Sequence, residues 1–146
     1  MSARVPWAWL TLFATAMSFV ESAAVVTLKR LYFPQGWAPP FHPIPREGLL
    51  LEQWREVATL LMILTVGFYR RSRFGEGIAA ALWVFGVWLL GYYLFLRIVT
   101  GFPAKLTDPD VVFLVPRVWI APVWLPLASA VVCMAVALRL GRQTRT

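Results

Sequence analysis

The sequence predicts an all-α fold: a polytopic membrane protein built as a four-transmembrane-helix bundle with extracytoplasmic loops. Three observations carry that prediction. Of the 146 residues, 60% are hydrophobic and 14% charged, whereas a soluble domain carries roughly 25% charged residues. Four apolar runs approach the roughly 20 residues that a helix needs to cross the hydrocarbon core at 1.5 Å per residue. The basic residues cluster at the ends of those runs, where they orient spans, rather than in one stripe.

The runs divide one transmembrane domain, residues 1–146, into helices at about 7–28, 49–69, 77–99 and 119–138. The first, Trp7–Leu28, is followed by Lys29 and Arg30. It exceeds the 7–15 apolar residues of a signal-peptide core, and it reads as a retained helix. The second has a clean apolar part, Val57–Phe68, that is too short to span. Its helix must therefore draw in Leu49 to Glu56, and the charges of Glu52, Arg55 and Glu56 come with it. The third, Gly77–Val99, follows a short link (Arg70–Glu76) and forms an antiparallel hairpin with the second. The fourth, Trp119–Leu138, contains Pro122 and Pro126, each of which removes a backbone donor and predicts a kink.

Between the first two helices, residues 33–45 hold five prolines among aromatic side chains. That composition favours extended backbone lying on the membrane surface or folded onto the bundle. Between the last two, Gly101-Phe102-Pro103 breaks the chain and Thr107-Asp108-Pro109-Asp110 reads as a turn. Val111–Val115 reads as a membrane-dipping segment or an interfacial helix. One side of the bundle holds Arg4, Arg70, Arg71, Arg73, Arg139, Arg142 and Arg145. The other holds Lys29, Arg30, Arg46 and Lys105 as free loop charges, once Arg55, Arg97 and Arg117 are assigned to helices. The positive-inside rule then places both termini in the cytoplasm.

Charges within spans are costly and usually face the bundle interior. Glu21 lies 14 residues from Trp7, Glu56 14 from Arg70 and Tyr92 14 from Ile78, which puts all three about 21 Å from the cytoplasmic ends of their helices. Glu52 stands one turn from Arg55 and Glu56, at pairing distance along the helix. Arg97, Asp108, Asp110 and Arg117 complete the set nearer the surface. The candidate buried polar cluster is therefore Glu21, Glu52, Arg55, Glu56, Tyr92, Arg97 and Asp110. A lone carboxylate at that depth would hold a proton, and one beside Arg55 could stay ionised. Such a cluster suits a proton relay, a cation site or a grip on a polar head group. It equally suits an ion-pair clamp between helices one and two, and the clamp is the simpler account.

Tyr92 and Tyr93 fit the cluster or an interfacial aromatic belt, and Trp7, Trp9, Trp37, Trp119 and Trp124 fall near helix ends, where such belts form. A single cysteine, Cys133, excludes an intrachain disulfide and a CxxC pair. A single histidine, His42, excludes a bis-histidine haem and a multi-histidine metal site within the chain. No cofactor is therefore expected, short of a pigment, haem or quinone shared with partner subunits. The formal charge of +7 does not point to nucleic acid, because the basic residues are dispersed. Small residues recur every fourth position (Ala14, Ser18, Ser22; Ser129, Cys133, Ala137) and allow close helix approach.

Glu21, Leu31-Tyr32-Phe33-Pro34, Glu52, Arg55-Glu56, Tyr92-Tyr93, Gly101-Phe102-Pro103, Asp110 and the stretch from Pro116 to Pro122-Val123 carry a resemblance. In these residues the chain is similar to a family of small four-helix bacterial integral membrane proteins. The resemblance covers most of the chain from helix one onward. It implies the same fold and brings no activity, and His42 is not part of the pattern. The first functional expectation is a non-catalytic accessory or scaffold subunit whose partners are the lipid bilayer and other membrane subunits or further copies. The alternative is a membrane-embedded enzyme or proton- or cation-coupled carrier working at Glu21, Arg55 and Glu56. A third is a sensor whose loop presents Trp37, Phe41 and His42.

Overall fold

The computed structural model describes residues 5–36 and 42–143. Among these residues lie four helices, α1 (Trp7–Tyr32), α2 (Arg46–Phe68), α3 (Phe74–Thr100) and α4 (Trp124–Gln143), and one antiparallel hairpin between α3 and α4, β1 (Pro109–Phe113) with β2 (Trp119–Pro122). Three of them, α1, α3 and α4, are long and apolar enough to cross a membrane. α2 has 23 residues, about 35 Å at 1.5 Å each. Its first half carries Arg46, Glu47, Glu52, Arg55 and Glu56, which lowers its hydropathy below that of the others.

Two expectations about the stretch from Val111 into the fourth helix need correction. α4 begins at Trp124, five residues later than expected, because Trp119–Pro122 is strand β2. The segment Val111–Val115 is not helical either: Val111 pairs with Ile120 and Phe113 with Trp119, with an irregularity between them. Both runs are rich in β-branched and aromatic residues, which fit a pleated surface, and the Phe113 and Trp119 rings stack at 6.4 Å. Pro109 and Pro122 pair at the end of the ladder, where a missing donor costs least. Pro122 is thus a strand residue. Pro126 is the third residue of α4, within the first turn, whose N–H groups have no helical acceptor in any case.

α3 is the central helix, packing closely against α1, α2 and α4, whereas α1 and α2 do not pack closely against each other. Backbone proximity comes from small residues: a Cβ at Gly67 would lie 2.8 Å from the Ala81 backbone nitrogen, and one at Gly86 2.8 Å from the Ala130 carbonyl oxygen. The core between α1, α3 and α4 is apolar, with Ala14, Met17, Ala80, Val84, Leu89 and Ala130 buried. Near one end of α1, Trp7 meets Trp83 edge-on at 5.1 Å, and the Trp83 indole donates to Thr11 Oγ1 at 2.9 Å. The outward faces carry large apolar side chains such as Trp9, Val20, Leu51, Trp54, Ile98 and Val132. α3 stops at Gly101, whose φ of +75° forms a left-handed cap, and its amide donates to the Arg97 carbonyl at 2.9 Å.

The small-residue stripes point in different directions. Ala14, Ser18 and Ser22 are all buried, whereas on α4 Ala137 is buried, Cys133 half-buried and Ser129 exposed. Trp9, Trp119 and Trp124 are exposed. Arg4, Trp37, Phe41 and Arg145, named above for orientation, belt and loop, lie outside the described residues.

Candidate functional site

α1 and α2 both lean on α3 without closing on each other, and the wedge between them is a cavity of about 340 Å³. The hairpin strands and the mouth of the α1–α2 loop cover one end. Its wall is of two kinds. Val25, Leu28, Leu49, Leu89 and Phe113 are apolar, while Glu21, Glu52, Arg55, Glu56, Tyr92 and Asp110 bring chemistry.

The deeper polar group joins the two splayed helices. Arg55 reaches across from α2 to form an ion pair with Glu21 of α1. Its Nε and Nη2 donate to Glu52 Oε2 at 2.9 and 2.7 Å, the pairing along the helix that the i, i+3 spacing anticipates. Glu21 Oε1 accepts from the Thr59 hydroxyl at 2.8 Å. A buried carboxylate thus meets both a cation and a hydroxyl donor, which is what keeps a charge tolerable in a low-dielectric setting. Glu56 does something different from the expected pairing with Arg55. Its carboxylate accepts the backbone N–H groups of Leu114 at 2.8 Å and Val115 at 3.3 Å. The neighbouring Gln53 side chain donates to the Leu114 carbonyl at 3.2 Å. These contacts fasten the hairpin to α2, and they satisfy backbone groups just where the ladder has ended.

A second polar group lies about 12 Å nearer the C-terminal end of α1, eight residues along from Glu21. Lys29 Nζ lies 3.8 Å from Asp110 Oδ1 and 4.2 Å from the centre of the Phe102 ring. The Tyr93 hydroxyl donates to Asp110 Oδ2 at 3.2 Å. Tyr92 lies between the two groups, in electrostatic reach of Asp110, Arg55 and Glu21. Its hydroxyl lines the cavity and makes no hydrogen bond among the described residues. Lys29 and Phe33 also line a second, outer groove of about 690 Å³ beside Arg30, Gly101 and Asp108. They form a partition between the cavity and the outer surface. His42 is exposed and stands at the rim with its ring 4.6 Å from that of Phe33.

Of the expected cluster, Glu21, Glu52, Arg55, Glu56, Tyr92 and Asp110 line the cavity and Arg97 does not. Arg97 is exposed and hydrogen-bonds the Gly101 and Pro103 carbonyls, the latter at 2.7 Å. It caps its own helix because the Gly101 break turns the chain back within its reach. Asp108 is likewise local, accepting the Ala104 and Lys105 amides at 2.8 Å each, and Arg117 is exposed. Sequence reasoning passed over Lys29 and Thr59. The apolar run stops before Lys29, which makes it read as a loop charge, yet α1 continues three residues past it to Tyr32. Thr59 sits one turn from Arg55 on the charged face of α2, which was the available signal. Among the described residues, no group of three His, Cys, Asp or Glu side chains is placed to hold a metal ion. Comparison with family models, with curated proteins and with solved structures finds no match to this chain.

Proposed function

We propose that this chain is an integral protein of a bacterial inner membrane, with four spans and both termini cytoplasmic, whose outer half binds an amphipathic small molecule. What supports α2 as the fourth span is the direction in which its charges point. Glu52 and Glu56 are buried against the bundle, while Leu50, Leu51, Trp54, Leu61, Met62 and Leu64 are exposed. A helix whose polar face is inward and whose apolar face is outward suits lipid and not water. A four-span count puts residues 33–45 and the hairpin outside, in accord with the distribution of Lys and Arg.

The single observation that carries the binding reading is the two-natured cavity between α1 and α2. A pocket of about 340 Å³ falls at the small end of the roughly 300–1,000 Å³ range of ligand sites. Apolar walls with a few convergent polar groups are the usual lining of such sites. A clamp between two helices needs no void, whereas here the clamp residues bridge one. The mutual pairing of Glu21, Arg55 and Glu52 favours a second reading, the non-catalytic accessory or scaffold subunit, in which these residues only fix helix geometry within a larger assembly.

Two experiments test the proposal. In a Cys133→Ser background, Gln35→Cys should react with a membrane-impermeant thiol reagent from outside and Ser72→Cys only from the cytoplasm. Labelling of both from one side removes the α2 span. For the pocket, Val25→Trp places a ring in the void. A small molecule enriched in organic extracts of the purified protein, and lost from the Val25→Trp variant that still folds, supports binding. Extracts identical for both, with a stoichiometric protein partner retained by both, favour the subunit.

A further inference from the structure

The cavity's charges do not balance. Four carboxylates line it (Glu21, Glu52, Glu56 and Asp110) against two cations, Lys29 and Arg55, so that four negative charges less two positive leave a formal excess of two negative. Both cations are engaged: Arg55 by Glu21 and Glu52, Lys29 by Asp110. An anionic head group, a phosphate or carboxylate, would therefore meet a site whose positive charge is already spent and whose remaining field repels it. Rings complete the wall: Phe33, Trp88, Tyr92, Tyr93 and Phe113 all face this space. Aromatic faces attract cations, most strongly where water is excluded, and Lys29 over Phe102 already uses that attraction at the rim. Independent of the acids, the half-buried Tyr92 lines the cavity, and its hydroxyl has no hydrogen-bond partner among the described residues. Its oxygen offers an acceptor in the middle of the site.

Building on the binding reading, we infer that the occupant is an organic cation, an amine with an apolar body of modest size. Its ammonium lies between Tyr92 and Glu52, and its body runs along Val25, Leu28 and Leu89. Glu52 is suited to this role because Arg55 engages only its Oε2. The amine is admitted from the outer side, where the Lys29–Asp110 pair and Phe33 separate cavity from groove.

Three probes share one apolar body and differ only in head charge: 4-phenylbutylamine, 4-phenylbutan-1-ol and 4-phenylbutyrate. Equilibrium dialysis against phosphatidylcholine nanodiscs, with and without the full-length protein, isolates binding to the protein from partitioning into lipid. The amine should bind at least tenfold more tightly than the alcohol, and the carboxylate most weakly. Glu52→Gln should lower amine affinity about tenfold and leave the alcohol unchanged, while Tyr92→Phe should weaken the amine a few-fold. Because either variant could perturb folding, each is compared by its unfolding midpoint, and the wild-type ranking of the three probes stands on its own. Equal binding of amine and alcohol overturns the cation inference while leaving the pocket reading intact. Preferred binding of the carboxylate overturns the charge argument outright. Absence of protein-dependent binding by all three overturns both.

Discussion

Replacing Arg55 by leucine asks how much the bridge between the splayed helices contributes. The guanidinium is 26% exposed, and its partners Glu21 and Glu52 are 8% and 11% exposed. Its removal leaves two carboxylates with no cation in a space largely shielded from water. Losing one member of a buried pair costs about 3–5 kcal/mol, most of it the penalty of the stranded charge. The partial exposure of Arg55 argues for the low end, about 3 kcal/mol. Glu21→Gln keeps a polar group within reach of Thr59 and Arg55 and should cost about 1–2 kcal/mol. In the double variant the stranded charge at position 21 is gone, so its cost should fall short of the sum of the singles by about 1–2 kcal/mol. Equilibrium unfolding in mixed micelles at rising mole fraction of sodium dodecyl sulfate, followed by circular dichroism, measures all three. If the single costs add to within about 0.5 kcal/mol, positions 21 and 55 are not energetically joined. The account of α1 and α2 as linked through this pair is then wrong.

Three further outcomes follow from particular contacts. Glu56→Ala removes the acceptor of the Leu114 and Val115 amides; these two should exchange hydrogen at least tenfold faster, at a stability cost of about 1–3 kcal/mol, while amides within α3 keep their protection. Gly67→Val inserts atoms where a Cβ already meets the Ala81 backbone at 2.8 Å, and should lower the unfolding midpoint by an amount equivalent to about 1–3 kcal/mol; Ala58→Val, on an exposed position of the same helix, should change it little. Gly101→Ala places a side chain at φ +75° and should cost about 1–2 kcal/mol, visible as lost protection in the last turn of α3.

The helices were legible in the sequence because lipid-suited apolar length is a signal independent of tertiary contacts. The depth argument puts Glu21, Glu56 and Tyr92 at one level for the same reason: rise per residue is fixed, so counting from the ends of the apolar runs locates each side chain along its axis. What counting cannot supply is rotation and neighbour. Glu56 is adjacent to Arg55 in sequence but points about 100° around the helix from it, toward the hairpin, and so takes backbone amides instead of a guanidinium. The hairpin itself was hidden because Val111–Val115 and Trp119–Pro122 are each too short for periodicity to separate strand from helix. They become strands only by finding each other across the Pro116–Val118 turn region. Lys29 shows the reverse error, where the end of an apolar run was taken for the end of the helix.

On the four-span reading, the inward charges of α2 also constrain how the protein is made. Insertion scales place each charged residue at a helix centre at about +2.5–3.5 kcal/mol, and Glu52, Arg55 and Glu56 lie together in the first half of this one segment. Offered to the bilayer alone, the segment would be rejected. Offered beside an α1 already in place, Arg55 finds Glu21, and the short link from Tyr69 to Arg73 delivers the strongly apolar α3 immediately afterwards. With α2 as a span, its insertion would be ordered by the same ion pair that spans the cavity, and a first helix without its glutamate would leave the second stalled at the membrane surface.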